Sequence, residues 1–387
     1  MGPSLPLPLR KIVSPRTAIR TPVPISRCPD VSIIVPARNE EANIGDCLES
    51  LTSQTGVHFE IIVVDDGSTD RTCEIALSFT GVTVIFPKAL PKDLTAPVVT
   101  GKNNALIAGA RDAEANWLLF TDADTVHRPG SLARALAEAR RARADLLSYS
   151  PEQVVVTFAE RAVMPVIFAE LATEYPPEKV REPDSGIVAA NGQYILVRRE
   201  AYNAVGGHAA VATDILEDVA LARLFRNAGK RVYFRYGGDA VRTRMYRKWA
   251  QLREGWTKNL ALLFPHPGRW ALESLFWWLV AWSALVIAVD GVASQYFGRI
   301  VFAAPWLLLY RRIRSARFST ANNLIAMAFG PPMFAYLLLL SKRAHAKGRV
   351  FWKERSYRVD ARKGVPAEVK SLDLIPGIES QKLRTGN

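Results

Sequence analysis

Short apolar runs separated by helical repeats constrain this chain more strongly than any other feature of its sequence. The runs have the continuous apolar character of strands buried on both faces of a sheet, and they cover residues 31–35, 60–64, 82–86 and 117–120. The spacing of apolar residues predicts helices over residues 39–51, from residue 68 or 70 onward, and over 103–115. This alternation is typical of an α/β protein with an open, mostly parallel sheet flanked by helices.

Pairs of acidic side chains follow two of these predicted strands. Asp65 and Asp66 follow the second strand, and Asp122-Ala123-Asp124 follows the fourth. Ligands of open α/β sheets bind beyond the carboxyl ends of the strands. These four carboxylates are therefore the first candidates for a functional site.

Asp122 and Asp124 are candidate metal ligands. Two carboxylates one residue apart on a turn reach one hard divalent cation and leave open positions for phosphate oxygens. Mg²⁺ or Mn²⁺ held there neutralises a diphosphate leaving group, and Ala123 between the two aspartates is assigned to the same ligand site. The alternative is an ordinary acidic turn.

The residues after the first two strands are candidates for a nucleotide pocket. Asp65 and Asp66 are suited to accept hydrogen bonds from a uracil N–H or from ribose hydroxyls. The alternative for this pair is a helix-capping turn, because Asp, Gly and Ser all favour that place. The opposite wall of the pocket is assigned to the residues that end the first strand, which are Pro36, Ala37, Arg38 and Glu40.

Three further polar residues are assigned to the same ligand site. Lys102 and Asn103 follow Gly101 and are expected to place a cation and an amide near a phosphate or a sugar. A solvated helix start is the alternative for that pair. Gln193 lies in an insert at residues 191–193 within a predicted strand over 186–197.

Glu217 and Asp218 are the candidate catalytic carboxylates. They lie in the first turn of a predicted helix over residues 214–228. The helix dipole there favours the ionised carboxylate that a general base requires. The alternative is electrostatic capping of the helix without catalysis.

Net charge and the distribution of tryptophan indicate a membrane. Fifty basic against 37 acidic side chains give a net charge of +13, and eight of the nine tryptophans lie at or after Trp249. Apolar runs cover residues 271–289, 300–310 and 324–340, with arginines between the second and third runs. Much of the positive charge flanks these runs, where anionic lipid accounts for it, and no nucleic-acid-binding module is visible.

The apolar runs predict a membrane-embedded region over residues 271–341. Nineteen residues at 271–289 nearly suffice to cross a bilayer, and the positive-inside rule favours an in-out-in hairpin over 271–310. Gly330-Pro331-Pro332 interrupts the third run, so a re-entrant or kinked segment is expected at 322–341. The alternative is a buried helical domain of a soluble protein.

Basic and aromatic residues over 242–256 predict an interfacial amphipathic helix. Trp249 and Trp256 are seven residues apart and therefore share one helical face. Their rings are expected at the level of the lipid headgroups, with Arg253 and its neighbours contacting lipid phosphate or a diphosphate. Simple anchoring to the membrane is the alternative. Three cysteines without Cys-x-x-Cys spacing give little support for a zinc module or a disulfide scaffold.

Four motifs in this order resemble the family 2 glycosyltransferases, which have the GT-A fold. The resemblance spans residues 31–260 and is carried by 31–41, 63–70, 122–124 and 217–218. Residues 191–202, 206–208, 244–246 and 255–259 look more narrowly like membrane-bound members encoded near carotenoid or hopanoid pathways.

The resemblance implies an inverting transfer from a nucleotide-diphospho-sugar, usually a UDP-sugar. It implies that the nucleoside binds around Pro36, Glu40 and Asp66, that the metal and the diphosphate bind at Asp122 and Asp124, and that Asp218 is the base. Cellulose-synthase-like relatives carry a Gln-x-x-Arg-Trp motif. Here Gln251 and Trp256 are spaced differently and no Arg precedes the Trp, which argues against processive polymer synthesis.

The sequence thus predicts five segments. They are a basic, Pro-rich disordered arm (1–30), a GT-A domain (31–240), interfacial helices (241–270), membrane-embedded helices (271–341) and a basic cytoplasmic tail (342–387).

The predicted activity is transfer of one sugar to a hydroxyl of a lipid, with an isoprenoid favoured, at the cytoplasmic face of the cell membrane. Transfer to polyprenyl phosphate is one alternative, in which Arg242, Arg244 and Arg253 matter more than a base. A non-catalytic lipid-binding scaffold is the other.

Overall fold

An eight-stranded sheet forms the centre of the protein in the computed structural model, which describes residues 19–20, 28–88, 100–289, 296–352 and 355–358. Its strand order is β1-β4-β3-β2-β5-β9-β7-β10, beside a three-stranded sheet β6-β11-β8 and a hairpin β12-β13. The strands are β1 (Ile19–Arg20), β2 (Val31–Ala37), β3 (Phe59–Asp65), β4 (Val82–Ile85), β5 (Trp117–Phe120), β6 (Thr125–His127), β7 (Leu146–Ser150), β8 (Glu152–Gln153), β9 (Ile195–Arg198), β10 (Val232–Tyr236), β11 (Val241–Thr243), β12 (Arg349–Trp352) and β13 (Arg355–Arg358).

The central sheet is mostly parallel, as the sequence predicts. β2 pairs in parallel with β3 and β5, β3 with β4, and β7 with β10, whereas β9 runs antiparallel between β5 and β7. In the register, Ala37 lies opposite Asp65, and Tyr236 lies opposite Ser150. The carboxyl ends of β2, β3, β5, β7 and β10 therefore meet at one edge of the sheet.

Helices cover both faces of this sheet and then form a separate helical layer. The side chain of Ile33 packs toward α1 and α4, and the adjacent Ile34 packs on the opposite face toward α3 and α9. The helices are α1 (Ile44–Thr52), α2 (Thr72–Leu77), α3 (Gly101–Asp112), α4 (Ser131–Arg141), α5 (Phe158–Glu174), α6 (Pro177–Arg181), α7 (Arg199–Ala204), α8 (Gly207–Ala210), α9 (Glu217–Asn227), α10 (Trp249–Leu263), α11 (Pro267–Val289), α12 (Tyr296–Arg314) and α13 (Thr320–Ala346).

The helical layer has its own core. It joins α5 to α10, α11, α12 and α13 through buried residues that include Val163, Trp256, Phe264 and Phe334. α5 and α13 approach closely at Gly330, where a Cβ atom would overlap the carbonyl oxygen of Ala162. Because α5 lies inside the predicted catalytic segment, the two layers interleave along the chain rather than following one another.

Among the described residues, α13 is the one helix that is long and apolar enough to cross a bilayer, and half of its most apolar stretch is buried inside the protein. A core helix of a soluble protein can have the same composition. Gly330, Pro331 and Pro332 lie within this continuous helix. Of the two forms predicted for 322–341, a re-entrant or a kinked segment, the continuous helix has no reversal of the chain.

Several predicted elements differ from the structure at their ends. The strand predicted over 186–197 is ordered as β9 only from Ile195, because the preceding residues form a loop. The first helix begins at Ile44 rather than at residue 39, since Asn39 has a left-handed φ of 52°. Ile19 and Arg20 of the predicted disordered arm pair with β4. The rest of that arm up to residue 27, and the tail beyond Arg358, lie outside the described residues.

Candidate active site

A cavity of about 790 Å³ lies at the edge of the sheet where the carboxyl ends meet, and the helical layer forms its opposite wall. Its volume falls within the range of small-molecule sites. Eight carboxylate residues line it, and they come from widely separated parts of the chain: Glu40, Asp66, Asp122, Asp124, Glu178, Glu217, Asp218 and Glu254. The structure therefore brings the predicted carboxylates together in one place.

Backbone contacts hold the turn that carries Asp122 and Asp124. The hydroxyl of Thr125 donates to the carbonyl of Asp122 at 2.7 Å, and the hydroxyl of Thr243 donates to that of Asp124 at 3.1 Å. The amide of Gln193 donates in turn to the Thr243 hydroxyl at 3.2 Å. Gln193 lines the cavity as predicted, but its amide nitrogen also supports the acidic turn.

Lys102 joins two of the candidate carboxylates. Its Nζ lies 2.8 Å from Oδ1 of Asp122 and 2.8 Å from Oε1 of Glu217. Burial alone would lower the pKa of Lys102, but the two carboxylates outweigh burial and raise it well above its usual value. Lys102 is therefore a fixed cation between α3, the acidic turn and α9.

Asp218 has the surroundings of a general base. Its two oxygens accept the backbone N–H groups of Gly192 and Val219, each at 2.8 Å. Burial and the nearby negative charge of Glu217 raise the pKa of Asp218 to about 6, against the opposing effect of Lys102. A base with a pKa near neutrality takes up a proton more readily than an ordinary aspartate does.

Asn103 is not in the ligand site, which corrects the prediction for this residue. It is completely buried, and its side-chain amide donates to the backbone carbonyls of Val211, Ala212 and Asp214. These bonds connect the start of α3 to the segment that precedes α9. Asn103 thus fixes Lys102 relative to Glu217 instead of contacting a ligand.

The predicted nucleotide pocket is formed by the loops after β2 and β3. Pro36, Ala37, Arg38, Glu40 and Asp66 all line the cavity. A guanidinium nitrogen of Arg38 donates to the backbone carbonyl of Asp66 at 2.8 Å, which connects the two loops.

Asp65 is corrected, because it lies outside the cavity lining. Its side chain is buried and accepts the N–H of Ser68 at 2.9 Å. This is the turn-forming role that the alternative interpretation described.

Asp122 and Asp124 are the residues suited to hold a metal. In the described part of the chain no cluster of three or more His, Cys, Asp or Glu side chains is arranged to hold an ion by itself. Mg²⁺ typically binds proteins through one or two carboxylates and completes its shell with water and substrate phosphates. Two carboxylates facing an open cavity fit that pattern.

One part of the cavity wall is apolar. It is formed by α5, the end of α10 and Phe234 of β10, and it includes Phe168, Leu171, Ala172, Tyr175 and Leu263. The hydroxyl of Tyr175 donates to the carbonyl of Leu263 at 2.5 Å, which joins α5 to α10. The cavity therefore has an apolar surface along α5.

Two predictions for α10 are corrected. Arg253 is exposed and does not line the cavity, because it lies on the outer face of the helix. Trp256 lines the cavity, but it is only 3% exposed and packs against Phe168 and Met164 instead of lying with Trp249 at a headgroup level.

Three residues that the sequence reasoning did not single out also line the cavity. Gly192 lies beside Lys102 and Asp218, Lys258 projects from α10, and Arg317 comes from the connection between α12 and α13. Lys258 lies within the motif 255–259 that carries the narrower resemblance. No sequence signal distinguishes Arg317 from the other arginines of its segment.

Comparisons with known proteins agree with this fold. Residues 32–206 match the model of glycosyl transferase family 2. The chain is 29% identical over 346 residues to 4,4'-diaponeurosporenoate glycosyltransferase of Staphylococcus aureus (strain USA300). The match covers 85% of this chain and 88% of that protein.

Among solved structures, the fold is similar to mannosyltransferase PcManGT from Pyrobaculum calidifontis, solved in complex with GDP-Man and Mn²⁺. The two have a TM-score of 0.50 and 17% identity, covering 86% of this chain and 90% of that one. Residues 32–206 therefore belong to glycosyl transferase family 2, and the protein is a glycosyltransferase with a GT-A type fold.

Proposed function

We propose that this enzyme transfers a single sugar from a UDP-sugar to a hydroxyl of a lipid acceptor, with inversion at the anomeric carbon. The supporting observation is that one cavity combines Asp66, the Asp122–Asp124 turn and Asp218 with an apolar wall. A scaffold without catalysis is not retained, because the chain is a glycosyltransferase.

The donor is assigned to the end of the cavity between β2 and β5. Asp66 and the backbone of residues 36–40 face the nucleoside, and the Asp122–Asp124 turn faces the diphosphate. We propose that Asp122 and Asp124 hold Mg²⁺ or Mn²⁺, which when bound supplies positive charge to the leaving diphosphate. Lys102 keeps Asp122 oriented from the protein side.

Asp218 takes the proton of the acceptor hydroxyl. As the acceptor oxygen forms its bond to the anomeric carbon, the bond from that carbon to the diphosphate breaks, and the electron pair leaves with UDP. The hydroxyl proton ends on the Asp218 carboxylate, which the N–H groups of Gly192 and Val219 hold in position. In-line attack turns an α-linked donor into a β-linked product.

A lipid is the proposed acceptor because part of the cavity wall is apolar and the helical layer exposes apolar side chains as well. Large side chains are exposed on all three of its last helices, among them Phe276 and Trp277 on α11, Leu307 and Leu308 on α12, and Leu324 and Phe329 on α13. Exposed apolar area of this extent is typical of membrane-binding surfaces. The S. aureus relative is named for a carotenoid acceptor, which is consistent with an isoprenoid here.

We propose that the α11–α12 hairpin inserts into the cell membrane with the catalytic cavity on the cytoplasmic side. The arginines that end α12 support this orientation, because the positive-inside rule places such clusters in the cytoplasm. They are Arg311, Arg312 and Arg314.

The proposal is tested with purified protein in lipid bilayers, labelled UDP-sugars and an isoprenoid alcohol. Wild-type protein is expected to move label into the organic phase. Asp218→Asn is expected to lose transfer by at least about 100-fold and to keep UDP binding. Asp46→Asn, an exposed aspartate on α1 away from the cavity, is the matched control. Full activity of Asp218→Asn would remove the base assignment, and absence of transfer in the wild type from any UDP-sugar would contradict the proposal.

An anionic acceptor is the second candidate function, and Arg317 is the observation that favours it. The guanidinium of Arg317 lies over the Tyr236 ring at 4.7 Å, and within the described residues no carboxylate is within salt-bridge distance of it. Arg244 of the cavity, by contrast, is paired with Glu160. Arg242 and Arg253 do not line the cavity. We therefore propose Arg317 for the anion-binding role that was predicted for Arg242, Arg244 and Arg253.

We propose that Arg317 contacts the acceptor rather than the donor, because of its position in the fold. Tyr236 ends β10, which lies four strands from β2 in the sheet. At about 4.8 Å per strand that separation is roughly 19 Å. With a phosphate or carboxylate acceptor, activity is expected to survive Asp218→Asn and to fall with Arg317→Ala. The reverse outcome supports the hydroxyl acceptor.

A further inference from the structure

A serine of α13 bridges the backbone of α10. The Ser341 hydroxyl donates to the carbonyl of Thr257 at 2.7 Å and accepts the N–H of Ala261 at 2.9 Å. In a regular α-helix these two groups, four residues apart, bond directly to each other. Insertion of a side chain into this ladder is a recognised cause of local helix bending. Ser341 is completely buried, so its contacts are fixed.

A second contact from α13 secures the same turn of α10. Nε2 of His345 lies 2.9 Å from the carbonyl oxygen of Lys258. Ser341 and His345 are four residues apart and therefore lie on one face of α13. This face of α13 contacts the backbone of α10 at Lys258, whose side chain enters the cavity.

Lys258 enters the cavity beside the candidate catalytic carboxylates. Its ammonium interacts electrostatically with Glu217, Asp218 and Asp122, as well as with Lys102. Burial lowers its pKa, and the negative charge of Glu217 opposes that effect. The Lys258 side chain lies in a partly desolvated site, where charge acts more strongly than in water.

Charge balance indicates what this cation does. Lys102 already contacts Asp122 and Glu217 directly, so its ammonium is occupied by protein carboxylates. A nucleoside diphosphate leaves beside the carboxylates of the Asp122–Asp124 turn and of Glu217 and Asp218. It therefore requires additional positive charge from the protein. Fixed cations aimed at developing negative charge are among the largest contributions to catalysis.

We propose that Lys258 binds the diphosphate of the donor and of the departing UDP, and that Ser341 is the positioning residue that holds Lys258 in place through the backbone of α10. This inference rests on the proposed function, because it takes UDP as the leaving group. It assigns to Lys258 the diphosphate contact that was expected on this helix from Arg253 and its neighbours. It also connects the catalytic site to α13.

Calorimetry with UDP, UMP and uridine on full-length protein in lipid tests the role of Lys258. Lys258→Met is expected to weaken UDP binding about 10-fold or more and to leave uridine binding unchanged, because only the diphosphate contact is lost. Lys258→Arg is expected to recover part of the affinity. Equal losses for UDP and uridine indicate a general structural effect and overturn the proposal, as does unchanged UDP binding.

A double-mutant comparison tests the role of Ser341. Ser341→Ala is expected to weaken UDP binding about 3-fold in the wild-type background and not at all in Lys258→Met, since coupled residues are not additive. Additive losses would contradict the positioning role. Lys342→Ala, which removes the neighbouring exposed lysine of α13, is the control and is expected to bind UDP normally.

Failure of this inference is distinguishable from failure of the proposed function. If wild-type protein binds no UDP, the proposed donor is wrong. If wild-type protein binds UDP and transfers sugar while Lys258→Met behaves identically, the donor stands and the role of Lys258 is wrong.

Discussion

Gly192 shows how closely the catalytic groups are packed. Its N–H donates to Asp218, and a Cβ atom placed on it would lie 3.0 Å from Nζ of Lys102 and 3.4 Å from Oε1 of Glu217. The missing side chain makes room for the Lys102 ion pairs. A glycine at this position is therefore required by its neighbours rather than by backbone conformation.

Gly192→Ala is expected to lower kcat/KM about 10- to 100-fold, because the added methyl group displaces Lys102 and shifts Asp218. The fold should persist, since the loop conformation suits alanine. Transfer kinetics and thermal unfolding measured together check this. Gly186→Ala is the control, because a Cβ at Gly186 meets nothing within 4 Å. Equal kinetics for the two variants would contradict the packing argument.

The acid limb of the pH–rate profile should report Asp218. Burial and Glu217 raise its pKa to about 6, and only the ionised carboxylate accepts a proton. The kcat/KM value is therefore expected to fall as pH decreases through about 6, rather than near the usual value of about 4.

Glu217→Gln provides the comparison for this profile. It removes the negative neighbour that raises the Asp218 pKa, so the remaining activity should retain its acid limb at a lower pH. An acid limb already near 4 in the wild type, or one that does not move in Glu217→Gln, would count against Asp218 as the base.

The contact between α5 and α13 depends on one small residue. Gly330→Ala places a methyl group against the Ala162 carbonyl and the Val166 side chain. Overpacking of this kind typically costs about 1–3 kcal/mol, so a lower unfolding temperature in mild detergent is expected. Leu324→Ala, at an exposed position of the same helix, is expected to have little effect. If Gly330→Ala leaves the unfolding temperature unchanged, the two helices separate easily here.

The strands were predictable because burial on both faces requires continuous apolar runs. Trp117–Phe120 has the same bounds in sequence and structure. The loop over 186–194 resembled a strand because residues that line a cavity, such as Ala189 and Ala190, are as apolar as those of a sheet.

The position of Trp256 was not predictable from spacing alone. Helical periodicity places it on one face with Trp249, but it does not tell which face packs on α5 and which faces the surroundings. Similarly, Asn103 and Asp214 are 111 residues apart, and no local pattern predicts that one binds the backbone of the other.

The catalytic cavity belongs to both layers of the protein. The sheet supplies the carboxylates, whereas α5, α10 and the α12–α13 connection supply the apolar wall and two cations. An ion pair between Arg312 and Glu170 at 2.6 Å fixes α12 to α5 beside this wall. A division into a catalytic domain and a separate anchor therefore misses that the helical layer completes the site.

We propose that donor and lipid acceptor occupy different parts of one cavity. Ala172→Trp separates the two, because Ala172 lies on the apolar wall and Thr173, the next exposed residue of α5, does not. With Thr173→Trp as the control, Ala172→Trp is predicted to abolish transfer of labelled sugar to lipid while UDP binds with wild-type affinity. Lipid transfer by Ala172→Trp at the level of Thr173→Trp, or loss of UDP binding together with transfer, would contradict the account.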